Sequence, residues 1–303
     1  MKYIDKLKIG DAIGIFSPSS PITYSCPKRF ERAKKYLQDK GFKIIEGNLT
    51  GRYDFYRSGS IQERAEELNE LIRNPEVKCI MSTIGGMNSN SILPYIDYEA
   101  FKRSPKIIIG YSDITAILLA IYAQTGISTY YGPALVASFG ELPPFVDYTY
   151  KYFKEVTMDN TKIPYIFETP EYWTDEYINW ETQDRSKEKR ENQWVTIYEG
   201  IVRGRVIGGN IEDSLKDAAT IERSFSFLKV NGVFDKISGI ILGKHELFDD
   251  LKTGRKPYEI LLEVLGDKKL PFIADFDCCH THPMLTLPIG CEIELNATEK
   301  KVS

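Results

Sequence analysis

The chain has 303 residues, 42% hydrophobic and 27% charged, with a formal net charge of −4, which leaves room for two ordinary cores and shows no polyanion-binding signature. Nucleic acid and membrane are therefore not expected partners; MKYIDKLKIGD is no apolar leader, no run of about 18 apolar residues offers a span, and a cytoplasmic protein is expected. Five cysteines, an odd number, fit reduced thiols better than a disulfide framework.

Taken in chain order, Ala12 to Phe16 reads as a strand that runs into the turn-rich SPSSP of Ser17 to Pro21. Phe30, Ala33 and Leu37 share a helical face between Pro27 and Lys40, and Gly41 stops that helix before a strand over Phe42 to Ile45. Ile61, Ala65, Leu68 and Ile72 repeat the helical period, and Val77 to Thr83 is the next strand, ending at Gly85-Gly86. After Asn90 to Tyr95 come the β-branched Ile107 to Ile109, an apolar helix over Ile114 to Ala123, and a strand over Thr129 to Tyr131 that meets Gly132-Pro133. Alternation of this kind predicts an α/β fold, a doubly wound and mainly parallel sheet.

Ligands of such sheets sit outside the carboxyl ends of the strands, where strand order reverses. Ser17 to Pro21, Gly85-Gly86, Gly110 to Asp113 and Gly132-Pro133 compete for that crevice. Ser112 lies on a four-residue corner between a buried strand and an apolar helix, the layout of a nucleophile elbow. Its hydroxyl can equally serve as the helix N-cap. The N–H groups of the paired glycines could complete an oxyanion hole there with that of Asp113, although paired glycines alone also suit a tight turn. No Walker-type loop or G-x-G-x-x-G follows the first strand.

Past Glu141 the texture changes. The division expected is a nucleophile domain over residues 1–145, a linker and substrate-facing aromatic insertion over 146–193 without further helix–strand alternation, and a smaller mixed α/β domain over 194–303. Trp173 and Trp180, in YWTDEYINWE, are either anchors onto a domain surface or a stacking platform for a ring. The charged run at Lys187 to Arg190 reads as a solvated face. In the last part Val195–Tyr198 and Ile201–Ile207 read as a hairpin, followed by helices over Ile221–Val230 and Tyr258–Leu265 and strands over Ile237–Leu242 and Cys291–Leu295.

The chain has only three histidines, and two lie in DFDCCHTHPM. Asp277, Cys278, Cys279, His280 and His282 could all ligate a metal, but their spacing fits neither C-x-x-C nor H-E-x-x-H, and no metal is expected. Alternatively, one histidine faces Ser112 as general base, with Glu212 or Asp213 in IEDSLKD orienting it. Spacing does not join these pieces.

The motifs IIGYSD, the glycine pair after Thr83, GRVIGGN (Gly204 to Asn210), IEDS, GKHE (Gly243 to Glu246) and HTHPMLTLPIG (His280 to Gly290) occur in this order over nearly the whole chain. Together they resemble the serine LD-carboxypeptidase family, and within it the microcin C self-immunity branch. The resemblance implies a Ser-His-Glu triad with Ser112 as nucleophile, His280 as base and Glu212 orienting it, and an oxyanion hole from the N–H groups of Gly86 and Asp113. It also implies a homodimer, no cofactor, and a cleft between a flavodoxin-like N-terminal domain and a swivelling C-terminal domain. By the same similarity Lys216 and Glu246 hold the charged ends of an aspartyl-like acyl group. The activity implied is hydrolysis of the amide of an aminoacyl- or peptidyl-nucleotide, with murein tetrapeptide LD-carboxypeptidase or an inert ligand-binding relative as alternatives. For a nucleotide, Trp180 is the candidate to stack on the base and Trp173 the second. The chain departs from the family twice: a stretch usual between the glycine motif and the glutamate is absent between Asn210 and Ile211, and Cys279 stands where glycine commonly precedes the histidine.

Overall fold

Apolar runs too short to span more than a few residues each make a strand when neighbours bury both of their faces. In the computed structural model, which describes residues 4–158, 164–210 and 217–303, this holds for β1 (Ala12–Phe16), β3 (Val77–Ser82) and β4 (Ile107–Gly110). Ile13, Ile15, Ile80, Ile108 and Ile109 are wholly buried. With β2 (Lys43–Glu46) and β5 (Thr129–Tyr131) they form a parallel sheet in the order β2-β1-β3-β4-β5. Helices α1 (Pro27–Asp39), α2 (Ile61–Arg73), α3 (Tyr98–Arg103) and α4 (Thr115–Thr125) alternate with the strands. Strand order reverses between β1 and β3, so the crevice lies between the corners that follow them, Ser17–Pro21 and Gly85-Gly86. The expected flavodoxin-like arrangement is present.

The aromatic stretch after Glu141 is not without regular structure: Phe145–Thr157 is a helix, α5, burying Phe145, Val146, Tyr152 and Phe153. Apolar residues at i, i+1, i+7 and i+8 are a helical face that the surrounding prolines disguised.

The expected hairpin is also absent. Strand β6 (Val195–Tyr198) pairs antiparallel with β9 (Phe272–Phe276), which in turn pairs with β8 (Ile240–Gly243); β7 (Ile201–Arg205) pairs with β11 (Glu292–Asn296). The two runs bury different faces, which is the reason. Val195, Ile197 and Tyr198 pack on the cluster around Ile221, Phe225 and Phe272, whereas Ile201, Arg203 and Arg205 are exposed. Gly200, at φ +134°, redirects the chain between them. Helices α6 (Ala218–Val230) and α7 (Pro257–Leu265) complete this cluster.

Strand β10 (Leu287–Ile289) leaves the C-terminal part and joins the N-terminal sheet as an antiparallel edge, Leu287 opposite Tyr131. It thereby draws the preceding loop, Asp277 to Met284, up to the carboxyl ends of the parallel strands. Among the described residues no helix is long and apolar enough to cross a membrane.

Candidate active site

The chain between β4 and α4 turns within Tyr111 to Ile114. Ser112 takes φ +61° there, in the left-handed region, at a cost of roughly 1–2 kcal/mol for a residue with a Cβ. No side-chain hydrogen bond caps the start of either helical segment, so Ser112 is not the N-cap. The serine is instead turned out at the carboxyl end of a central strand, as in an elbow. Gly85 comes up against it: a Cβ at Gly85 would stand 2.9 Å from Ser112 Cβ and 3.1 Å from the Asp113 nitrogen. Any larger residue would push this loop off the elbow. Gly86, at φ +150°, lies against the Ser19 and Ser20 side chains, so the corners after β1, β3 and β4 meet.

The histidine loop reaches the same place. The His280 ring packs edge-on against Tyr111, the residue before Ser112, with centroids 5.1 Å apart. Cys279 lies outside the positive-φ region, so its side chain adds no backbone strain where a glycine was the expectation. Asp277 is fully buried and its carboxylate accepts from Trp194 Nε1 at 2.8 Å, Asn192 Nδ2 at 3.0 Å and Lys244 Nζ at 2.8 Å. Three donors on one carboxylate fix the base of the loop on which His280 stands. These bonds engage Asp277 within the protein, and among the described residues no group of three or more His, Cys, Asp or Glu side chains is placed to hold a metal ion.

A cavity of about 440 Å³ opens beside this loop. His280, Glu246, His245 and Asn210 stand along it, and Phe225 and Leu228 of α6 supply apolar wall. Glu246 is close enough to raise the Tyr111 hydroxyl, whose pKa burial already pushes up, and to act on Lys187. Glu212 and Lys216 lie outside the described residues, as does Asp213.

Lys187 is where the reading of the charged run fails. It is buried, not solvated, and its ammonium stands 3.4 Å from the Glu141 carboxylate, which Arg29 also contacts at 3.1 Å. Arg29 further donates to the carbonyls of Val136 and Ala137 and to Gln183, whose amide reaches back to Glu141. His282 Nε2 lies 3.6 Å from the same carboxylate. Burial works to raise the Glu141 carboxyl, yet the charge His282 can carry, Arg29 and Lys187 hold it at about 2. Burial and Lys187 in turn push His282 down to about 3, so at neutral pH its ring is uncharged and Arg29 and Lys187 face Glu141. His282 also exchanges backbone hydrogen bonds with Thr174 at 2.8 and 2.9 Å. The polar cluster thus ties the linker to the histidine loop. No local sequence signal marked Glu141 or Arg29.

Both tryptophans are half-buried with a cation over the ring: Arg29 at 4.6 Å from Trp180, and Arg190 and Lys244 at 5.4 and 5.5 Å from Trp173. Trp180 packs partly against the apolar clusters on both sides of the parallel sheet.

Comparison with known proteins settles the family. The model of the LD-carboxypeptidase N-terminal domain matches residues 13–132 and that of the LD-carboxypeptidase C-terminal domain residues 210–295. The chain belongs to the LD-carboxypeptidase family. It is a serine carboxypeptidase-type hydrolase, and within the family it is 56% identical to a putative carboxypeptidase of Vibrio cholerae, over 96% of this chain and 93% of that protein. It is 52% identical to the microcin C7 self-immunity protein MccF of Escherichia coli, over 98% and 94%. The solved structure of MccF with aspartyl sulfamoyl adenosine superposes with a TM-score of 0.93 at 49% identity, covering 98% of this chain and 96% of that one. The two sequence alignments run over 313 and 322 positions against a chain of 303, so these LD-carboxypeptidase relatives carry positions absent here.

Proposed function

We propose that this LD-carboxypeptidase hydrolyses the amide bond of aminoacyl- or peptidyl-nucleotides in the manner its likeness to MccF suggests. Ser112 is the nucleophile, His280 the general base and Glu212 the group that orients the imidazole. As the Ser112 oxygen bonds to the acyl carbon, His280 takes the hydroxyl proton. The carbonyl oxygen, now an oxyanion, lies against the N–H groups of Gly86 and Asp113. His280 then passes the proton to the departing nitrogen as the C–N bond breaks, and water repeats the cycle on the acyl-enzyme.

Lys216 and Glu246 hold the carboxylate and ammonium of an aspartyl-like acyl group, since each charge needs its opposite. Trp180 stacks on the base, and because Arg29 already covers one face of its indole, the base takes the other. Trp173 is the second candidate. The protein works as a cytoplasmic homodimer.

The observation that carries this reading is the left-handed corner at Ser112, at the carboxyl end of β4, with His280 packed on the preceding residue. Incubation with aspartyl sulfamoyl adenosine tests it: mass spectrometry should find aspartate and sulfamoyl adenosine. Cleavage of a murein tetrapeptide with the nucleoside left intact would assign the chain to cell-wall recycling.

A further inference from the structure

We infer that the Asp113 carboxylate is the positioning residue that fixes the oxyanion loop, Gly85 to Ser89, against the nucleophile corner. This rests on the reading above, in which Gly86 and Asp113 each give one backbone N–H to the oxyanion. Two donors on separate loops bind a developing charge well only if their separation is fixed to within a fraction of an ångström.

The Asp113 carboxylate spans the two. Asp113 Oδ2 accepts the N–H of Asn88 and the N–H of Ser89, each at 2.9 Å, and the Ser89 hydroxyl donates to the Asp113 carbonyl at 2.5 Å. Gly86 lies two residues before this clamp. On the far side the loop is held by groups that do not belong to the corner. Ser19 Oγ accepts from Met87 N at 3.1 Å and from Asn88 N at 3.2 Å, and donates to Asn88 Oδ1 at 2.7 Å. Buried Arg64 donates to the Asn88 carbonyl at 3.1 Å, to its side chain at 3.0 Å and to Pro18 O at 2.6 Å. Ser19 and Arg64 therefore fix the loop to the corner after β1, and Asp113 fixes it to Ser112. The competing role is an ordinary one: the carboxylate caps the short helical turn Ser89–Tyr95 and adds only stability.

The backbone N–H of Asp113 survives any side-chain exchange, so the two roles separate. The test uses the full chain, aspartyl sulfamoyl adenosine as substrate, and kcat normalised to Ser112 sites titrated to completion with a fluorophosphonate. Asp113→Ala should lower kcat about 10²- to 10³-fold, the usual loss for a displaced oxyanion donor, with KM within about threefold. Asp113→Asn should recover to within about tenfold of the parent, because both N–H bonds end on one oxygen that an amide can supply. Ser89→Ala, the milder change, should cost about three- to tenfold in kcat at constant KM. Parent-like kcat per titrated site in Asp113→Ala, with only a lower Tm, overturns the inference, as does an Asp113→Asn no better than alanine. A Ser112→Ala control that still turns over overturns the nucleophile assignment and this inference with it; normal loss in that control beside an unaffected Asp113→Ala overturns the inference alone.

Discussion

Residues 107–125 and residues 174–187 are held in place by opposite means. The first stretch keeps its shape mainly by apolar burial, with Ile107 to Ile109, Ile114, Ile117, Leu118 and Ile121 all in the core, and the Asp113 carboxylate is its polar tie to Asn88 and Ser89. The second keeps its place by charged and polar side chains that reach far along the chain, Gln183 to Glu141 across 42 positions and to Arg29 across 154. Apolar packing tolerates modest change of shape, whereas a buried ion cluster fails when one partner is removed. The corner should therefore be sensitive in chemistry and the linker in stability and substrate choice.

The largest effect expected is at the corner. Ser112→Ala should lower kcat by about 10⁶ with little change in Tm, since removing a triad nucleophile costs this much and the site loses no packing. Steady-state kinetics with a thermal melt check both halves, and retention of more than a few per cent of parent turnover removes Ser112 from the mechanism.

Acid should act first on the linker cluster. The unfolded chain takes up a proton at His282 near 6.5 and the folded chain only near 3, so the native state is favoured above that window and loses the advantage as pH falls through it. Between pH 7 and pH 4 this amounts to about 3 kcal/mol. Urea melts of the parent and of His282→Gln at both pH values should show a smaller acid loss in the variant. Equal losses would place the acid sensitivity elsewhere.

Within the charged run itself, two lysines should part company. Lys187→Ala removes a buried partner of Glu141 and should cost about 2–3 kcal/mol in urea unfolding, while Lys189→Ala, at an exposed position, should stay within about 0.5 kcal/mol. Similar values for both would return the run to a solvated face.

The smallest effect concerns substrate choice. Trp180→Ala should lose about five- to 150-fold in kcat/KM on an aspartyl nucleotide analogue, the equivalent of about 1–3 kcal/mol of stacking, and little on a base-free aspartyl amide. Equal losses on both substrates, together with a lower Tm, would make Trp180 an anchor and favour the murein substrate.

These contrasts also explain what the sequence could say. Strand, corner and helix around Ser112 are each set by residues within a few positions, so their order and the crevice were legible, and so was the approach of the DFDCCHTHPM loop once family motifs were taken into account. Lys187 was not, because a lysine beside Glu188, Lys189 and Arg190 looks solvated until a carboxylate from residue 141 is known to face it. The Asp113 carboxylate escaped for the same reason: its partners, Asn88 and Ser89, are backbone groups that no side-chain pattern advertises. The pairing of β6 with β9 was hidden likewise, since Glu199-Gly200 is a good turn whichever strands it connects.

The central claim is that Ser112 is the group that becomes acylated, and covalent labelling tests it most directly. The purified chain, treated with a fluorophosphonate and analysed by intact mass and peptide mapping, should carry one adduct, on Ser112, and Ser112→Ala should carry none. An adduct on another residue, or undiminished labelling of Ser112→Ala, would contradict it.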